Sequence, residues 1–280
     1  MKNPHVSIII PTYNSGKTLP GCLKSVRTQT YPFYEIIVVD NFSTDRTLET
    51  ARRFKAKVLR QKCSPALARN LAVSRSAGKY VFFLDSDQVM SPTVVQECVE
   101  RCENIQAGMV RIPEVFIGRG YWGSCSAVWK NYYQKVEQQY PSNKILSGEP
   151  RFFAKEQIAR IGMLDTSLLW GEDYDLYRRL KKANAKECTC ISKIYHYELE
   201  SVKGILIKNL RYGKSMPAFV QQTKEQMLPR MGRHALLTFK EVFRDFRKSP
   251  AIIAGCTILL CLKTYSIAYG LVTGQHLSSR

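Results

Sequence analysis

Along the first 90 residues the apolar positions switch repeatedly between continuous runs and a helical period. Val6 to Ile10 is a short apolar run rich in β-branched residues, which predicts a buried strand. Leu19, Cys22, Leu23 and Val26 then recur at helical spacing, with Pro20 tolerated in the first turn. Ile36 to Val39 predicts a second strand. Leu48, Ala51 and Phe54 predict a second helix, with Ser43 or Thr44 as its cap. Val58-Leu59 is a weak third strand, Ala66 to Ser74 a helix ended by Gly78, and Val81 to Leu84 a fourth strand. Continuous apolar strands joined by helices predict an α/β fold, a doubly wound and mostly parallel sheet covered by helices on both faces.

A sheet of this kind binds ligands outside the carboxyl ends of its strands. Pro11-Thr12-Tyr13-Asn14 follows the first strand, Asp40-Asn41 the second and Asp85-Ser86-Asp87 the fourth. These polar residues are therefore expected on one edge, a nucleotide-type geometry with no GxGxxG and no P-loop lysine motif in sight. Asp85 and Asp87 repel one another at a strand tip unless a cation neutralises them. Oxygen ligands select a hard ion, Mg2+ or Mn2+, completed by substrate phosphates. The competing structural reading is a turn that caps a helix starting near Ser91-Pro92. The buried strand before the pair and the convergent loops favour the ion. Further on, "WGEDYDLYRRL" places Leu176 and Leu180 one turn apart on a helix with Glu172 and Asp173 at its N-terminal mouth. The aromatic residues of 110–170, Phe152, Phe153 and Trp129 among them, are expected to shape an acceptor site.

Composition narrows the class. At 45% hydrophobic and 23% charged, the 280 residues read as globular. MKNPHVSIII lacks the features of a signal peptide. The nine cysteines include no CxxC pair and read as reduced, mostly buried thiols of a cytoplasmic protein. The formal charge is +19, and residues 201–250 hold eleven Lys/Arg against three acids, a local +8. That excess implies an anionic partner: phosphates, nucleic acid or an anionic lipid surface. It leads into the apolar run 251–274, whose single charge is Lys263. The run reads as membrane-embedded or interfacial, with Arg244, Arg247 and Lys248 as a lipid-facing flank. A buried helical hairpin is the alternative.

Four fragments, "VSIIIPTYNSGKTLPGCLKSVRTQTYP", "EIIVVDNFSTDRT", "ALARNLAVSRSAGKYVFFLDSD" and "GEDYDLYRRL", stand in an order and spacing that resemble the family-2 glycosyltransferases, inverting enzymes of the GT-A fold. The resemblance covers residues 5–200. It implies a nucleotide-sugar donor site of Pro11, Thr12, Tyr13, Asn14, Asp40, Asn41, Arg69 and Asp85, with Tyr13 stacked on the base and Arg69 reaching the base or diphosphate. It implies a Mg2+ or Mn2+ site at Asp85 and Asp87, joined by His196 unless that is an ordinary strand-end histidine. Asp173 matches the catalytic base and Glu172 its partner.

Two departures matter. Asn41 stands where the family commonly has a second acid, so the base could be uracil, guanine or thymine, since an amide both accepts and donates. The QxxRW signature of processive members is missing, which implies single sugar additions. The expected organisation is a GT-A domain over 1–200 and a basic, helical, membrane-associated region over 201–280. The expected acceptor is a polyprenyl-phosphate-linked or cell-surface glycan at the cytoplasmic face of the membrane, with no nucleic acid as partner. Two other readings stand beside it. A metal-dependent nucleotidyltransferase would want a glycine-rich basic loop where "PTYNSGKT" has one glycine. A non-catalytic nucleotide- or nucleic-acid-binding protein would leave the strand-tip acids unexplained.

Overall fold

The apolar run after His5 folds as β1 (Val6–Thr12), and the alternation continues through α1 (Leu19–Arg27), β2 (Tyr34–Asp40), α2 (Thr47–Arg53), β3 (Lys57–Arg60), α3 (Pro65–Ser74) and β4 (Tyr80–Phe83). The computed structural model describes residues 3–140, 150–198, 201–223 and 227–275. The middle of the chain gives β5 (Gln88–Met90), α4 (Val94–Ile105), β6 (Met109–Arg111), β7 (Glu114–Ile117), α5 (Gly120–Gln139), β8 (Phe152–Ala154), α6 (Lys155–Arg160), α7 (Glu172–Lys182), β9 (Glu187–Thr189) and β10 (Ile194–Tyr197). Three long helices follow: α8 (Val202–Thr223), α9 (Met227–Phe246) and α10 (Pro250–Gln275).

Seven strands form one sheet in the order β3-β2-β1-β4-β8-β6-β9. The first four are parallel. β8 runs antiparallel between β4 and β6, and β6 pairs in parallel with β9. Side chains alternate across the strands, so the sheet feeds two cores. Ile8, Ile10, Val38, Phe82 and Phe152 pack under α1 and α4, against Leu23, Val26, Val95 and Cys98. Ile9, Ile37, Val81, Phe83 and Phe153 pack on the other face against Ala72 of α3, Ile158 of α6 and Leu176 and Leu180 of α7. The doubly wound α/β expectation holds. Phe152 and Phe153, read from sequence as acceptor-site aromatics, lie instead in these two cores, because β8 is an interior strand. A second small sheet has the order β5-β10-β7.

Two local expectations change. α2 starts at Thr47 and takes no cap from Ser43 or Thr44. Those hydroxyl residues are engaged with Asn14 instead. A GxGxxG spacing does occur at Gly118–Gly123, running from the loop after β7 into the first turn of α5. It serves a tight turn. A Cβ on Gly118 would stand 1.9 Å from the Gly123 carbonyl oxygen, and Gly120 has φ +65°. Sequence reading overlooked this spacing, and no βαβ unit follows it, so it is not a dinucleotide fingerprint.

By internal packing the chain forms two units, one of residues 1–115 and 149–196, the other of 116–148 and 197–280. Sequence reading divides the chain at 200. By packing, α5 belongs with the C-terminal helices. Within the helical unit Cys125 and Trp129 of α5, Ile205 of α8, Val242 of α9 and Cys256 and Leu259 of α10 share one core. Six of the nine cysteines in the whole chain are buried as small apolar groups. α8 and α10 approach backbone to backbone: a Cβ on Gly213 would meet the Ile267 carbonyl oxygen at 2.4 Å, and one on Gly270 the Leu210 oxygen at 2.7 Å. Gly213→Ala or Gly270→Ala must push the helices apart. Each is expected to destabilise the helical unit by about 1–3 kcal/mol. Urea unfolding followed by far-UV circular dichroism measures this, and an unchanged midpoint would show that the contact is slack.

Candidate active site

The loops after β1 and β2 are sewn together. Thr12 and Asp40 are register partners at the ends of β1 and β2. Asp40 is fully buried; its Oδ1 accepts from Thr12 Oγ1 at 3.4 Å and its Oδ2 from the Ser43 amide at 3.0 Å. Arg60 Nε stands 3.7 Å from the same Oδ2. Asn14, with φ 49°, donates its amide to Ser43 Oγ at 2.9 Å and accepts from the Thr44 amide at 2.9 Å. Asn41 donates its amide to the Thr12 carbonyl at 2.9 Å and accepts at Oδ1 from the Cys63 amide at 3.2 Å. Pro11 lies half-buried within β1. Tyr13 is the residue this framework leaves outside, 64% exposed at the sheet edge. Asp40 thus acts here as an anchor under the loop, while Tyr13 presents a free ring face.

The loop after β4 is the centre of a chain of ion pairs. Asp85 accepts at Oδ1 from Arg69 at 3.0 Å and at Oδ2 from Arg151 at 3.1 Å. Arg69 reaches on to Glu172 Oε1 at 3.1 Å. Arg151 also pairs with Glu114, whose other oxygen lies 3.2 Å from His196 Nδ1. His196 Nε2 stands 3.4 Å from Asp87 Oδ2. Glu172, Arg69, Asp85, Arg151, Glu114, His196 and Asp87 thus form one continuous line of alternating charge. Arg69 Nε is buried with no acceptor among the described residues. A buried donor left open inside a polar network marks a place for a ligand acceptor.

The charges set one another. Burial works to raise the Asp85 carboxyl, but the Arg151 and Arg69 guanidiniums outweigh it and hold it well below the usual range. Burial likewise opposes ionisation of Glu114, yet Arg151 and His196 hold it down to about 2. For His196, burial favours the neutral ring, but Asp87 and Glu114 outweigh it and raise the imidazole to about 9. Burial and the neighbouring Asp173 push the Glu172 carboxyl up against the pull of Arg69.

At the mouth of α7, Gly171 takes φ 79° and turns the chain so that Glu172 points to Arg69. Asp173 is exposed, accepts from the Tyr174 amide at 2.9 Å and makes no ion pair among the described residues. Asp175, third acid of the stretch, is buried and pairs with Arg178 and Arg179. Its part is structural.

The donor set suits a divalent ion at Asp87 and His196. His196 Nε2 faces Asp87 while Glu114 backs Nδ1, the arrangement that orients a metal-binding imidazole. Among the described residues no three His, Cys, Asp or Glu groups converge on one point, so two protein ligands would leave the remaining positions to substrate oxygens. Asp85, expected to join the ion, has both oxygens turned to arginines.

Sequence reading missed Arg151, Glu114 and Gln88. Arg151 is brought to the carboxyl edge because β8 is antiparallel to β4: Phe82 pairs with Phe152, and the Phe83 amide bonds the Arg151 carbonyl at 2.8 Å. His196 is register partner of Gln88 in the antiparallel β5–β10 pair, and Gln88 Oε1 accepts from the Asp85 amide at 3.0 Å. A strand entering at that edge with an arginine in front was the available signal, but only its pairing direction gives it meaning.

Residues 7–159 match the family model for glycosyl transferase family 2. The chain belongs to glycosyl transferase family 2. An uncharacterized glycosyltransferase of Haemophilus influenzae is 32% identical over 190 residues, 62% of this chain and 61% of that one. The curated relatives are matched over 16% to 61% of their own lengths. The mannosyltransferase PcManGT of Pyrobaculum calidifontis, solved with GDP-Man and Mn2+, aligns over 100% of this chain and 82% of its own at TM-score 0.61 and 18% identity. TarS 1-349 of Staphylococcus aureus, solved with UDP-GlcNAc, aligns over 96% and 89% at TM-score 0.56 and 16% identity. The fold of this family-2 chain is therefore of the GT-A type.

Arg151→Met tests the ion-pair chain by stranding Asp85 and Glu114. At neutral pH it is expected to cost about 3–5 kcal/mol. Both carboxyls have depressed values in the folded protein, so the stabilisation is fully present above their ordinary range near 4.5 and is lost as pH falls toward about 2. Urea midpoints of wild type and variant should therefore converge on acidification. A gap that stays constant down to pH 2 would mean these pairs contribute nothing through charge.

Proposed function

We propose that this chain is an inverting glycosyltransferase that moves a single sugar from a nucleotide-diphosphate sugar to an acceptor hydroxyl of a lipid-linked or cell-surface glycan. Arg69 carries the reading. One guanidinium ties Asp85 at the β4 tip to Glu172 at the mouth of α7, and its buried Nε remains without an acceptor. Family membership and nucleotide-sugar complexes of the structural neighbours support a donor of this class. They count against the nucleotidyltransferase and non-catalytic readings.

In this mechanism Tyr13 stacks on the base, with the Asn41 amide at its edge. Arg69 and Arg151, pre-oriented by Asp85, face the diphosphate and stabilise its charge as it departs, without reorganisation at the moment of reaction. Asp87 and His196 would hold Mg2+ or Mn2+, whose charge would offset that of the diphosphate. Asp40 keeps the base-side loop in place. Asp173, unencumbered by cations among the described residues, takes the proton of the attacking hydroxyl. Glu172 keeps Arg69 aimed. One displacement inverts the anomeric carbon.

The helical unit is the proposed contact with the cytoplasmic face of a membrane. α10 is long and apolar enough, by length and composition, to cross a bilayer. Its exposed side carries Ile258, Tyr265, Tyr269 and Val272. The exposed side of α9 alternates Arg233, Leu236, Lys240 and Phe243 at helical spacing, and Arg247 follows just beyond its end. Basic residues interleaved with apolar anchors suit an interfacial helix on anionic lipid.

Asp87→Ala and Asp173→Asn separate the two halves of the mechanism. Asp87→Ala is expected to abolish metal-dependent binding of UDP-, GDP- or dTDP-sugars, as EDTA does. Asp173→Asn should leave donor affinity unchanged while turnover falls on the order of a hundredfold or more. Full turnover in EDTA, or an Asp173→Asn enzyme with normal rate, defeats the corresponding assignment. For the helical unit, the full chain should float with anionic liposomes at low salt and detach as salt rises. A chain that stays with the soluble fraction under both conditions rules out the membrane contact.

A further inference from the structure

Gln88 is a buried polar residue at the carboxyl edge of the sheet to which the mechanism above gives no part. It opens β5 and is fully buried, and its chain neighbour Asp87 is one of the two candidate ion ligands. The other, His196, is its register partner across the antiparallel β5–β10 pair. Its carboxamide is engaged at both ends. Oε1 accepts from the Asp85 amide at 3.0 Å, while the Gln88 amide donates back to the Asp85 carbonyl at 3.0 Å. These two bonds close residues 85–88 into one turn and fix the backbone that carries Asp87. Ser86 Oγ pins the same turn to Ser15 Oγ at 2.9 Å. At the other end of the carboxamide, Nε2 stands 3.5 Å from Glu114 Oε1 and 3.4 Å from His196 Nδ1. One side chain thus runs from the turn that carries Asp87 to the back of the ring whose Nε2 faces Asp87, 3.4 Å away.

The residue type suits the place. The turn end needs an acceptor for an N–H and the Glu114 end needs a donor, and an amide supplies both. A glutamate here would set a second carboxylate against Glu114. A lysine or arginine could not accept from the Asp85 amide. Arg151 bridges the side chains of Asp85 and Glu114 by charge, and Gln88 adds the link to the backbone of the turn. A buried amide with both ends engaged holds its neighbours to one geometry, since any other would strand a donor or an acceptor out of reach of water.

We propose that Gln88 is a positioning residue: it sets the separation of Asp87 and His196, so that the pair is held ready for a divalent ion bound together with a nucleoside diphosphate. This role rests on the reading of Asp87 and His196 as the ion's protein ligands. Gln88 itself touches neither ion nor substrate and acts through the pair, from Asp87 on one side along the chain and from Glu114 and His196 on the other across the small sheet.

The test measures ion binding by the full chain and needs no turnover. Free Mn2+ is followed by electron paramagnetic resonance in the presence of UDP, GDP or dTDP, using the nucleotide that supports the tightest uptake by wild type. Gln88→Met keeps the size of the side chain and loses both polar ends. It is expected to weaken Mn2+ binding about tenfold or more, the usual loss when a partner behind a metal ligand is removed. His196→Ala weakens it as well. The double variant should bind no more weakly than His196→Ala alone, because with one ligand gone no separation remains to be set. Gln29→Met is the control: Gln29 is another buried carboxamide of the same unit, bonded to Ser25, Ser91 and Val95. Its loss should lower the urea midpoint and leave Mn2+ affinity as in wild type. If circular dichroism shows that Gln88→Met does not fold, Gln88→Glu takes its place. That change keeps the acceptor for the Asp85 amide and loses the donor toward Glu114. Its added negative charge would by itself attract the cation, so weaker Mn2+ binding can come only from a displaced pair. Undiminished affinity in the folded Gln88 variant, additive losses in the double variant, or an equal loss in Gln29→Met overturns the proposal. A wild type that takes up no Mn2+ with any of the three nucleotides defeats the metal assignment itself, and this role with it.

Discussion

Asp85 lies between two guanidiniums, and the carboxyl edge of the sheet is arranged around that charge. A carboxylate at a strand tip is exposed to repulsion from Asp87, two residues on, and from Glu172. Arg69 and Arg151 offset this by occupying one Asp85 oxygen each. Each guanidinium then has donors left over, which reach Glu172 on one side and Glu114 on the other. Planar, permanently charged guanidiniums are suited to this bridging, where a lysine would be a single point charge. The alternation of sign lets seven ionisable groups share a small volume without any of them being stranded.

The two ends of this line differ in kind. At Glu172 the buried carboxyl is pushed up, and the adjacent Asp173 is left exposed and free of cations among the described residues. At His196 the ring is held between Glu114 and Asp87 and is drawn toward its charged form. That charge offsets the two carboxylates on either side of it.

The helical unit uses a different economy of contact. α8 and α10 meet through Gly213 and Gly270, where the absence of Cβ lets backbones touch, and their apolar and basic residues are left to face outward. Close packing by glycine gains dispersion contact over a long seam and frees the larger side chains for other surfaces.

The amino-acid sequence by itself determined the first four strands, the helices between them and the placing of Asp40, Asp85 and Asp87 near one edge. Those features follow from local periodicity and from the rule that parallel strands end on the same side. It also carried the Glu172-Asp173 pair, as acids at a helix mouth, and the apolar length of α10. The tertiary structure alone decided that Arg151 and Glu114 join them. Their importance comes from the antiparallel entry of β8 and from β7 and β10 forming a second sheet, and strand direction leaves no mark on hydrophobic period. Likewise, residues 116–139 give no local sign that they pack with helices a hundred positions later. That partnership is a matter of which apolar faces remain to be covered once the sheet has buried its own.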